Sequence, residues 1–135
     1  MVERERIRNM SLSSDARTSI IVVNVPEPQE GQVVVIVLDA KFPVQLIEVD
    51  RTIGGAGGCD LLFETDGLEI TFEDSQSPGV GIPCTEPTLV NSQVVTGDDI
   101  VDEGQTLEML IHNLGSGPTD LVVQITMRRT DVNVP

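Results

Sequence analysis

Aromatic side chains are nearly missing from this 135-residue chain: there is no Trp or Tyr, and Phe occurs only as Phe42, Phe63 and Phe72. Sugar sites commonly stack a ring on Trp or Tyr, so their absence disfavours a lectin or adhesin. Histidine occurs once, at His112. Any Ser-His-Asp or Cys-His arrangement would have to use that residue, and a His/Cys zinc set has too few ligands. Two cysteines, Cys59 and Cys84, suit a reducing compartment as free thiols, and they could still pair after release into an oxidising medium. No apolar run approaches the roughly 18 residues of a membrane-spanning helix. The opening stretch MVERERIRNMSLSSDAR has no apolar segment of the signal-peptide kind. Positive charge is scarce as well: eight Lys and Arg stand against 22 Asp and Glu, for a net charge of −14. Nucleic acid and anionic membranes both require a basic footprint, so neither is expected as a partner.

What charge there is divides the chain. Residues 18 to 127 hold 18 acidic side chains against Lys41 and Arg51 alone. Half of the positive charge lies ahead of them, in Arg4, Arg6, Arg8 and Arg17, interleaved with Glu3, Glu5 and Asp15. The early stretch shows no sustained hydrophobic period. Residues 1–18 are therefore expected to be an arm that orders on a partner, with the four arginines as partner-binding candidates. Residues 19–135 are expected to form one domain, a size that buries a modest core.

The apolar content of that domain is mostly Val, Ile and Leu, which favour strands. Strands are expected at 19–25, 33–38, 42–50, 59–64, 68–73, 94–95, 99–101, 106–113 and 119–129, separated by Gly, Pro and Asp turns. Asp66-Gly67 is a hairpin signal. Alternation places Leu68, Ile70 and Phe72 on the core side, as it does Leu107, Met109 and Ile111, and Leu121, Val123, Ile125 and Met127. Val33 to Leu38 is apolar throughout, which suggests a strand covered on both faces. Residues 74–91 read as a long loop of the functional or neighbour-contacting kind. The expected fold is all-β: an antiparallel β-sandwich of jelly-roll or Greek-key type.

Chemistry-bearing clusters are few. Gly54, Gly55, Gly57 and Gly58 have the glycine content of a phosphate loop but not its Lys-Ser/Thr, and read as a hairpin connection. Asp98, Asp99, Asp102 and Glu103 offer hard oxygen atoms to calcium, though without EF-hand spacing; Asp-rich turns more commonly serve as turns. His112 reads as a structural or surface residue. No cofactor is expected, and the chain is not expected to be an enzyme.

The segments Gly97-Asp98-Asp99-Ile100, Gly104-Gln105-Thr106-Leu107 and Asp120 to Thr130 together resemble the closing hairpin of small virion proteins of tailed bacteriophages. The resemblance implies a head decoration, or cement, protein: β-rich, commonly a homotrimer, bound to the major capsid protein through terminal arms. It places the chain on the capsid surface after synthesis in the host cytoplasm. Tail and fibre-tip proteins share this style, so a tail-associated or secreted module recognising a protein or glycan is the alternative. The resemblance carries over no catalytic or ligand residues.

Overall fold

The computed structural model describes residues 18–130 except Glu86, Thr96 and Asp98. The candidate arm residues Arg4, Arg6, Arg8 and Arg17 lie outside the described residues. Among the described residues there are ten strands and no helix: β1 (Thr18–Val25), β2 (Gln32–Val37), β3 (Val44–Ala56), β4 (Cys59–Thr65), β5 (Leu68–Glu69), β6 (Ile82–Cys84), β7 (Val90–Gln93), β8 (Ile100–Val101), β9 (Leu107–His112) and β10 (Gly117–Arg129). They form two five-stranded antiparallel sheets. One runs β1-β10-β3-β7 with β8 also on β3, and the other runs β2-β9-β4-β5 with β6 also on β4.

The pairings nest. β1 pairs with β10, β2 with β9, β3 with β7 and β8, and β4 with β5 and β6. A ribbon folded back once along its length makes these pairs. Wrapping that ribbon brings β10 against β3 and β9 against β4. The result is a jelly roll, so the fold class expected from the strand pattern is the one the chain adopts.

Period-two alternation builds the core between the sheets. Leu107, Met109 and Ile111 of β9 and Leu121, Val123 and Ile125 of β10 are fully buried, as the alternation requires. They join Leu46, Val49 and Ile53 of β3 and Leu61 and Phe63 of β4 in one cluster. Each large aliphatic side chain buried in this way contributes roughly 1.5–3 kcal/mol. Phe63 and Phe72 meet with ring centroids 5.4 Å apart and planes tilted by 59°, a favourable edge-biased geometry. Asp66 and Gly67 take positive φ of 47° and 85°, the hairpin conformation their pair signals.

Four local expectations are corrected. The Val33–Leu38 run is not covered on both faces: β2 is an edge strand, Val34 and Ile36 pack inward, and Val33 and Val35 are 52% and 48% exposed. Leu68 is exposed, because β5 stops after two residues, whereas Ile70 and Phe72 do reach the core. Gly54 and Gly55 belong to the end of β3 rather than to a loop, where they pair with Thr119 and Pro118. The 74–91 stretch is interrupted by β6, which is too short and too proline-marked (Ile82-Pro83-Cys84) for its sequence to announce a strand.

Gly57 shows what the glycines are for. Its φ is +96°, and a Cβ there would lie 2.8 Å from the Gly115 Cα. Two turns at one end of the sandwich thus touch backbone to backbone, and Gly115 N–H donates to the Gly58 carbonyl at 2.8 Å. Gly57→Ala is expected to cost about 3 kcal/mol, from left-handed strain plus the forced separation of the turns. Gly31→Ala, at a similar φ but with nothing near its Cβ, should cost only about 1 kcal/mol. Urea unfolding midpoints of the two variants check the difference.

Candidate functional site

Sheet polarity places one charged group where a hydrophobe is the norm. In β3 the inward positions include Val49, Arg51 and Ile53, and Arg51 stands opposite the fully buried Val123 of β10. Arg51 is 1% exposed. A guanidinium cannot lose its proton in a protein, so it must satisfy its donors locally. Arg51 does so by reaching out of its own sheet. Its Nε donates to the Pro83 carbonyl of β6, in the facing sheet, at 2.9 Å. Nη1 donates to the Ser92 hydroxyl and to the Val90 carbonyl of β7. Nη2 pairs with Asp74 Oδ2 at 3.3 Å, and the Ser92 hydroxyl donates to the same oxygen at 2.8 Å. One side chain therefore ties the two sheets and both ends of the 74–91 segment together.

Two thiols lie beside it. Cys59 opens β4 and Cys84 closes β6, and the strands' register sets them directly opposite each other. Both are 2% exposed and belong to the inter-sheet core. They are free thiols, not bridged. Interaction with the Cys59 thiol lowers the pKa of Cys84 against the opposing effect of burial, and the Arg51 charge adds to the lowering. Interaction with Cys84, then burial, then the negative charge of Cys84, Asp60 and Glu30 push Cys59 upward. The Arg51 charge thus favours a thiolate at Cys84.

The rest of the segment is held to the outer face of the second sheet. Gln76 donates to Asp60 at 2.9 Å, Gly79 N–H donates to Glu69 at 2.9 Å, and His112 Nε2 lies 2.8 Å from the Val80 carbonyl. His112 is accordingly a structural residue that anchors a loop. Its parity with Leu110 had placed it on that outer face.

The Asp-rich turn behaves as a turn. Asp99 is buried, and its carboxylate accepts from Gln45 Nε2 at 2.7 Å and from Gly97 N–H at 3.3 Å. Asp102 and Glu103 are exposed, and Asp98 lies outside the described residues. Among the described residues no group of three or more His, Cys, Asp or Glu is arranged to hold a metal. A pocket of about 190 Å³ beside this turn is lined by Leu68, Glu69, Ile70, Ile100 and Asp102, among others.

Arg51, Asp74 and Ser92 were not singled out from the sequence. The parity of Arg51 with Val49 and Ile53 was the available signal for the first. Nothing local announced that Asp74 and Ser92 would converge on it.

No family model matches the chain, and no curated protein matches it in sequence. Among solved structures, the Agl-KA catalytic domain is similar at 12% identity and TM-score 0.45, over 87% of this chain and 23% of that one. Infectious bursal disease virus, Gx strain, is similar at 11% identity and TM-score 0.40, over 90% of this chain and 35% of that one. The catalytic domain of a GH87 α-1,3-glucanase in complex with nigerose stands at 11% and 0.40, over 87% of this chain and 22% of that one. The chain thus spans about a fifth to a third of the length of these proteins. Likeness at this level concerns the fold, and sites vary freely on a shared fold. The expectation that the chain is not an enzyme is nevertheless corrected, because two of these three neighbours are catalytic domains. Carboxylate chemistry needs neither histidine nor Trp and Tyr, so their scarcity was never a sufficient ground for exclusion.

Removing either half of the Arg51 clasp should be costly, and unequally so. Asp74→Ala leaves a buried guanidinium without its counter-charge and is expected to destabilise by about 3 kcal/mol. Ser92→Ala removes a neutral partner and should cost about 1.5 kcal/mol. Denaturant midpoints, with circular dichroism to verify the fold, measure both.

Proposed function

We propose that this chain is a structural virion protein that decorates a bacteriophage capsid and stabilises it by bridging neighbouring capsomers. The observation that carries the reading is the β2 edge. Gln32 to Val37 contains no charge and no proline, and it presents Val33 and Val35 outward at about half exposure. An unguarded, β-branched edge of this kind is a template for another chain, and soluble proteins ordinarily blunt such edges. A jelly roll is also an architecture used for viral capsid domains.

The resemblance to phage cement proteins adds a form to this reading. The chain acts as a homotrimer on the outer capsid surface. Residues 1–18 supply arginines to acidic patches on the major capsid protein or on a neighbouring acidic body, and the 74–91 segment makes further contact. An arm that orders only on binding can span a seam without being needed for the fold of the domain.

Val33→Lys combined with Val35→Lys should change stability by less than about 0.5 kcal/mol, because both side chains are half in water. The same double substitution should abolish trimers in sedimentation velocity and abolish decoration of particles. Deleting residues 1–17 should preserve the β-sheet spectrum and weaken capsid binding. Electron microscopy of particles made without the protein should show bare, fragile heads. Equally robust heads would overturn the reading, and clear hits on a glycan array would favour a recognition module instead.

A further inference from the structure

We propose that Cys59 and Cys84 are an oxidative modification site: a small peroxide converts them to an intramolecular disulfide that staples β6, and with it the 74–91 segment, to β4. Three features of the fold converge on this. The residues are direct cross-strand partners in an antiparallel pair. Opposed residues in such pairs have Cα atoms about 4.5–5.5 Å apart, inside the range a disulfide spans without moving the backbone. Both thiols lie inside the inter-sheet core, each 2% exposed. Finally, the Arg51 guanidinium, held in place by Pro83, Val90, Ser92 and Asp74, puts a permanent positive charge beside Cys84. A cation next to one member of a thiol pair stabilises its thiolate, the reactive form.

The chemistry balances with hydrogen peroxide as oxidant. The Cys84 thiolate attacks one peroxide oxygen, and the O–O bond breaks. The departing hydroxide takes a proton to become water, leaving Cys84 as the sulfenic acid. The Cys59 sulfur then attacks the Cys84 sulfur. The S–S bond forms, the S–O bond breaks, and the Cys59 proton leaves with the departing hydroxide as a second water. Two thiols lose two electrons, and the peroxide gains them. Peroxide is small enough to enter on a local opening of β6, which is only three residues long.

The staple has a mechanical meaning. β6 is held to the facing sheet by Arg51 and to its own sheet by pairing with β4 alone. A covalent link beside Arg51 would hold the segment even when the ion pair with the half-exposed Asp74 lets go. This inference does not depend on the assembly reading.

The full chain, reduced and folded, is treated with hydrogen peroxide, denatured and alkylated. The expected product is a monomer that has lost two hydrogen atoms and takes up no alkylating reagent. Its thermal midpoint should be raised by about 10 °C, and reductant should reverse the rise. With Cys59→Ser the reaction should stop at a Cys84 sulfenic acid that dimedone traps. With Cys84→Ser, Cys59 should give no trapped adduct at matched dose. Two alkylatable thiols after treatment of the wild-type chain, or disulfide-linked dimers in place of the monomer, would overturn the proposal. Trapping on Cys59 rather than Cys84 would overturn the assignment of roles.

Discussion

β10 hydrogen-bonds along both of its edges, to β1 on one side and to β3 on the other, over most of its thirteen residues. That double pairing is the constraint on which the rest depends. β1 is held along one edge of β10, and β3, from the middle of the chain, along the other. With β10 in place, Leu121, Val123, Ile125 and Met127 form the floor on which the second sheet closes. Strand pairing across such sequence distances must bear a loop-closure cost before contact energy returns. The chain meets that cost with an aliphatic core that contains two of its three phenylalanines, Phe63 and Phe72.

At the β6–β7 side of the sandwich the hydrophobic solution gives way to a polar one. Arg51 occupies an inward position and converts it into a link between the sheets, using two carbonyls, a hydroxyl and a carboxylate. Buried ionic groups of this kind rarely add net stability over a hydrophobic filler, but they are costly to break once made. Their value here is placement: four donors with fixed geometry admit one arrangement of the 74–91 segment. The cysteine pair sits next to this arrangement, and the Arg51 charge adds to the lowering that Cys84 already takes from its neighbour Cys59.

The surface has a different logic. The sheet edge at β2 lacks the charged and proline guards seen on most solvated edges, while the body around it is strongly acidic. An edge strand without charge or proline is a template for strand pairing, and here it lies within a body of net negative charge. A jelly roll by itself assigns no role.

The sequence by itself determined the class of structure and most of the core. β-branched composition and strict alternation in β9 and β10 dictate strands and say which side of each is buried, because side-chain direction in a strand depends only on parity. The Asp66-Gly67 turn was readable for the same local reason. One weaker signal misleads: an uninterrupted apolar run such as Val33 to Leu38 suggests burial on both faces, although edge position is a property of the sheet order and not of the strand. β6 and β7 stayed unrecognised because Ile82-Pro83-Cys84 and Val90 to Gln93 owe their strand form to partners already in place. The candidate site belongs to this second category. Parity could point Arg51 inward, but only the wrapping of the ribbon brings residues 74, 83, 84, 90 and 92 to it. Their convergence is a consequence of which strands lie opposite, and that is decided by tertiary packing.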